Sequence, residues 1–133
     1  MIELTARQKK KLKEIAKKYK LELILLFGSR ATDNFRKDSD YDIAYLSSSP
    51  SYLNGNKKEK LKSELVSLCG IEDFRMFDIE IDNPLFLREV FRNPKILFCS
   101  NIKKFFSYEI YAIKIYADYQ CKIRTNTKMS LVS

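Results

Sequence analysis

The sequence predicts one α/β domain, and three observations carry that prediction. Segments with apolar residues at helical spacing alternate with short apolar or strictly alternating runs, in the order α-β-α-β-α-β-α-β-α. The chain has 133 residues, the size of a single domain. No internal repeat and no Pro/Gly-rich linker divides it, so residues 1–133 are read as one unit.

Each element has a local reason. Thr5 with Gln8 fits a capping box, opening a helix over about residues 6–19 with Leu12, Ile15, Ala16 and Tyr19 on one side. Leu21 to Phe27 is too short and too apolar for a surface helix and reads as a buried strand, ended by Gly28-Ser29. Arg30 to Lys37 is a helical turn or loop, and Tyr41 to Leu46 a second strand. After a Ser/Pro/Asn/Gly loop, a helix over about 57–69 turns Leu61, Leu65 and Leu68 inward and stops at Gly70. Arg75 to Asp82 alternates: Phe77, Ile79 and Ile81 face one way, Asp78, Glu80 and Asp82 the other. Asn83-Pro84 starts a short helix to about Arg92, and Lys95 to Cys99 is a short strand. Asn101 caps a last helix to about Lys122, with Ile102, Phe105, Phe106, Ile110, Ile113 and Ala117 along it, and the tail from Thr125 reads as frayed.

Composition excludes much chemistry. The chain has no histidine, which removes Ser-His-Asp and Cys-His catalysis and every zinc site that uses imidazole. Cys69, Cys99 and Cys121 are odd in number and far apart, so neither a disulfide framework nor a four-thiolate metal site is expected. The longest apolar runs fall far short of the ~20 residues that span a bilayer, and the N-terminus has no apolar signal core, so a cytoplasmic protein is expected. The net charge of +8 is uneven. Residues 1–20 carry eight Lys/Arg against two Glu, and residues 101–133 carry six against two acids, around a slightly acidic middle. Basic residues cover the polar side of the first helix, which is ordinary amphipathicity. Direct nucleic-acid binding is not the expectation.

Chemistry concentrates in Leu26-Phe27-Gly28-Ser29, ten residues, and Asp40-Tyr41-Asp42. A strand ending in Gly-Ser before a helical turn offers backbone N–H groups to a phosphate. Asp40 and Asp42, two apart on a strand, leave the same face roughly 7 Å apart along the chain. Such a pair can bracket the two divalent cations, about 3.5–4 Å apart, of a phosphoryl-transfer site. Asp78 supplies a third carboxylate on another strand, with Glu80 as the competing choice. Each part alone is also explained by a turn or a solvated edge; the joint pattern is far more specific.

Taken together, Gly28-Ser29, the ten-residue spacing, Asp40-x-Asp42 and the later strand acid resemble the signature of the DNA polymerase β-like nucleotidyltransferase superfamily. Leu-Phe-Gly-Ser-Arg-Ala and Asp-Ser-Asp-Tyr-Asp-Ile-Ala resemble its minimal one-domain members, the MNT antitoxins paired with HEPN ribonuclease toxins. Phe-Asp-Ile-Glu-Ile-Asp, followed by Pro-Leu-Phe-Leu-Arg-Glu-Val, resembles their third strand and helix. The resemblance covers about residues 20–100; the ends match only in helical character, and residues 32–37 lack the glycine many relatives carry there.

The resemblance implies a nucleotidyltransferase fold, a mixed β-sheet flanked by helices. It implies that Gly28 and Ser29 hold the β- and γ-phosphates of ATP, with Arg30 touching the triphosphate. Asp40, Asp42 and Asp78 would bind two Mg²⁺ ions. The implied function is an antitoxin that transfers AMP from ATP to a tyrosine hydroxyl of its HEPN toxin. Two other functions fit the same residues: an antitoxin that blocks the toxin by steric contact alone, and a stand-alone small-molecule adenylyltransferase, which the short chain disfavours.

Overall fold

A computed structural model describes residues 4–31, 41–49, 53–70, 74–80 and 83–132, with backbone alone for Ser29, Arg30 and 126–132. The first helix, α1 (Ala6–Lys18), begins as its sequence dictates. Thr5 Oγ1 accepts from the Gln8 amide at 3.2 Å while Gln8 Oε1 accepts from the Thr5 amide at 2.8 Å. The strand β1 (Leu21–Phe27) leads into a short 3₁₀ turn, Gly28–Ala31, and β2 (Asp42–Ser47) follows. Next come α2 (Gly55–Cys69), closed by Gly70 at φ +69°, and β3 (Arg75–Asp78). The chain ends with α3 (Pro84–Phe91), β4 (Lys95–Cys99) and α4 (Ile102–Val132).

The four strands form one mixed sheet in the order β3-β2-β1-β4. β1 pairs antiparallel with β2 and β4, and β2 pairs parallel with β3. Helices cover both faces, which is why β1 is apolar throughout rather than alternating. Ile24 and Leu26 join the core under α1 and α2, with Leu12, Ile15, Ile43, Leu61 and Leu65. Leu23, Leu25 and Phe27 join the core under α3 and α4, with Ala44, Leu46, Val90 and Phe105. Polar ties hold the layers in place. Gln8 Nε2 donates to the Leu68 carbonyl at 3.0 Å, Lys18 pairs with Glu64 at 3.0 Å between α1 and α2, and Lys104 of α4 pairs with Glu22 of β1 at 2.6 Å.

Three boundaries differ from expectation. The third strand stops at Asp78 rather than Asp82, because Asp78 Oδ1 accepts from the Glu80 amide at 2.9 Å and turns the chain out of the ladder. The last helix runs ten residues past Lys122, to Val132, through a stretch with neither glycine nor proline to stop it. Of the apolar residues noted along it, Phe105 is buried whereas Ile102, Phe106, Ile110 and Ile113 are exposed, because the buried side runs through Phe105 and Ala112 instead. Among the described residues no helix is long and apolar enough to cross a membrane.

Candidate active site

The site forms at one end of the two central strands, where β1 ends and β2 begins. The antiparallel register sets Phe27 directly opposite Asp42, so the residue after Phe27 turns across the Asp42 carboxylate. That residue is Gly28, at φ +77°. A Cβ built on it would stand 3.1 Å from Asp42 Oδ2, so glycine is required here both by backbone conformation and by space. Gly28 and Asp42 thus form a close contact between the end of one strand and the start of the next. Ser29 and Arg30 follow Gly28 in the 3₁₀ turn. Asp40 lies outside the described residues.

Asp42 is held from both sides. Its side chain is 15% exposed, and Oδ1 accepts from Arg75 Nε at 2.8 Å. Arg75 reaches it because β3 runs parallel to β2 with Arg75 opposite Asp42, and its side chain, 61% exposed, arches over the Phe77 ring at 5.7 Å. Phe27, Phe77 and Phe86 pack edge to face or tilted at 5.6–6.1 Å between centroids, an apolar floor on the same sheet face as Asp42.

Asp78, expected to complete the carboxylate set, is not brought to it. The register pairs Asp78 with Tyr45, whose ring belongs to the core under α1 and α2, whereas Asp42 shares its face with Ala44 and Leu46 of the other core. The Asp78 charge is felt by tyrosines of both layers, Tyr45 and Tyr108. Burial pushes the Tyr45 hydroxyl up from its ordinary value of 10.0, Lys58 pulls it back, and the Asp78 charge adds to the rise. Opposite faces and three residues of strand, roughly 10 Å, separate the two carboxylates. Glu80 lies beyond the end of β3. It lines a cleft of about 460 Å³ with Ile79, Leu87, Ser107, Tyr108 and Tyr111, at the far end of the sheet from Asp42.

Asp42 and Asp78 are thus not placed to bridge two cations, and no group of three or more Cys, Asp or Glu that could hold a metal ion occurs among the described residues. Strand alternation contained the signal for Arg75. It stands two residues before Phe77 and so shares its face, but only the pairing of β3 with β2 reveals that this face is also that of Asp42.

Solved structures of similar shape come from toxin–antitoxin complexes. One, of a toxin–antitoxin with AMP-PNP, matches at TM-score 0.68 and 22% identity over 92% of this chain and 98% of the other. Another, of a tri-AMPylated Shewanella oneidensis HEPN toxin in complex with MNT antitoxin, matches at TM-score 0.65 and 20% identity over 94% and 97%. A third, of MntA-HepT, matches at TM-score 0.64 and 20% identity over 96% and 99%. At such identities the likeness establishes the fold. No curated protein matches by sequence. The model of the family described as polymerase beta, nucleotidyltransferase, matches residues 10–103, from within α1 through all four strands to the first turn of α4, and with it the chain belongs to that nucleotidyltransferase family.

Proposed function

We propose that the chain is an antitoxin that transfers AMP from ATP to a tyrosine hydroxyl of a HEPN ribonuclease toxin. One observation carries this reading. The fold is shared over 92% of this chain and 98% of a chain from a toxin–antitoxin structure with AMP-PNP, and over 94% of this chain with a chain from a complex that contains a tri-AMPylated HEPN toxin. The acceptor is then best supplied by a partner protein. The exposed side of α4, with Ile102, Phe106, Ile110 and Ile113 in a stripe, is apolar surface suited to such a partner.

In this reading the Gly28-Ser29 turn and Arg30 cradle the triphosphate. Asp42 and Asp40 are the residues that would hold magnesium, which would supply neutralising charge for the phosphates. The tyrosine oxygen bonds to the α-phosphorus as the bond from that phosphorus to the bridging oxygen breaks. Pyrophosphate leaves, and the phenolic proton passes to solvent. The added AMP brings bulk and negative charge to a site that must admit RNA.

A second reading, neutralisation by steric contact without transfer, is favoured by one feature: Arg75 faces Asp42, while Asp78, the expected third carboxylate, lies on the other sheet face. Intact-mass spectrometry of the HEPN partner, incubated with ATP and Mg²⁺, separates the two. Wild type adds one or more AMP units and the Asp40→Ala/Asp42→Ala variant adds none. An unmodified partner whose RNA cleavage is nonetheless blocked by both forms establishes the steric reading instead.

A further inference from the structure

Helix α4 packs on the body through the side that carries Phe105 and Ala112. Another side presents Phe106, Ile110, Ile113 and Ala117 to solvent, with both isoleucines 66% exposed. These residues are spaced four, three and four apart, the spacing by which one helix offers a seam to a second helix. Exposed isoleucine adds nothing to helix propensity or solubility, so the seam is explained by cover rather than by the folding of this chain. The same spacing continues to Lys103 on one end and to Gln120 and Arg124 on the other, so basic residues close the seam at both ends. Along one edge opens a cleft of about 260 Å³ lined by Arg88, Phe91, Arg92, Ala112, Ile113 and Tyr116. The Arg88 guanidinium lies over the Tyr116 ring at 4.1 Å, and among the described residues neither Arg88 nor Arg92 is paired with a carboxylate. Lys114 follows Ile113 on the other edge; Glu109 also borders the seam and leaves its margin net positive.

We infer that the α4 seam and the Arg88–Arg92 cleft together dock a helix of a partner protein whose own apolar seam is flanked by Asp or Glu. The inference deepens the antitoxin reading and rests on it, the partner there being the toxin. Apolar spacing selects a helix as the occupant, and the basic margin selects an acidic one. A second copy of this chain fits poorly, because two basic margins would meet in a protein of net charge +8. Stacking on Tyr116 fixes the plane of the Arg88 guanidinium and leaves its N–H edge for a carboxylate. Helices α3 and α4 cover the sheet face to which Asp42 belongs, so a partner docked here lies on the same side of the sheet as the candidate site.

Titration calorimetry of the Asp40→Ala/Asp42→Ala chain with the HEPN partner, without ATP, reads docking apart from transfer. Ile110→Asp/Ile113→Asp, added to that chain, weakens binding about a hundredfold, and Arg88→Glu/Arg92→Glu about tenfold. With the seam intact, affinity falls as salt rises from roughly 0.05 to 0.5 M, and in the arginine variant that dependence vanishes. All four side chains are exposed, so circular dichroism should show both variants folded. A partner that binds both variants as tightly as the intact seam overturns the inference and leaves the antitoxin reading standing. Loss of binding in the isoleucine variant alone, with salt without effect, overturns the acidic flank. A wild-type chain that sediments as a dimer, and as a monomer once Ile110→Asp/Ile113→Asp is introduced, makes the occupant a second copy and overturns the inference too. If the folded chain does not bind the HEPN partner at all, the antitoxin reading falls and the inference falls with it.

Discussion

Gly28 concentrates the demands of the site in one residue. Its φ of +77° costs a residue with a side chain about 1–2 kcal/mol, and a Cβ there meets a carboxylate oxygen at 3.1 Å, inside ordinary van der Waals contact. Neither relief is cheap. Rotating Asp42 away breaks its bond to Arg75, and shifting the turn moves the backbone that would meet the phosphates. Gly28→Ala should therefore lower the thermal midpoint by roughly 3–8 °C and weaken AMP-PNP binding at least tenfold, as titration calorimetry would measure. Unchanged affinity in the variant would mean the turn does not contact the nucleotide. The sequence singled out Gly28 and Asp42 separately, but their contact follows from the antiparallel pairing of β1 with β2, which spacing alone does not state. Asp78 was misplaced because alternation within a strand says which residues share a face, not which face another strand's residues share. That depends on β2 and β3 pairing in parallel, a contact between distant parts of the chain.

Among the elements, those with local causes were legible. The Thr5–Gln8 capping box, the Gly70 stop and the Asn83 cap, whose Oδ1 accepts from the amides of Leu85 and Phe86, each rest on interactions within four residues. The ends of β3 and α4 were not, because a side-chain turn at Asp78 and the absence of any stop signal after Lys122 decide them. The packing of α1 on α2 gives a pH prediction. Hydrogen bonding to Tyr19 and then to Lys18 holds the Glu64 carboxyl below its ordinary value of 4.5, against the opposing effect of burial. Because the folded value lies below the unfolded one, the stabilisation is fully present above the ordinary value and disappears as pH falls through the lowered folded value. Glu64→Gln should therefore melt below wild type at pH 7, and the difference should close as acid protonates Glu64. A difference that persists at pH 2 would mean that shape, not charge, carries the contact.

At the scale of the whole molecule, β1 is the seam between two cores. Neighbouring residues on it, Ile24 and Leu25, are both wholly buried, and they point into opposite layers, Ile24 under α1 and α2 and Leu25 under α3 and α4. Truncating either to alanine removes about 2–5 kcal/mol of packing. If the two layers fold as one unit, Ile24→Ala and Leu25→Ala should each unfold in a single transition, with circular dichroism and tyrosine fluorescence coincident. The site sits where both layers meet, at the end of β1 and the start of β2, so its geometry depends on the sheet rather than on either layer of helices. Saturating nucleotide stabilises only the folded state, by an amount set by its dissociation constant, about 2.7 kcal/mol at a hundredfold excess over that constant. Since neither truncation touches Gly28 or Asp42, the stabilisation free energy from AMP-PNP should be the same in wild type and both variants. A loss confined to Leu25→Ala would show that the α3/α4 layer alone shapes the site, through the Phe27, Phe77 and Phe86 floor beneath Asp42.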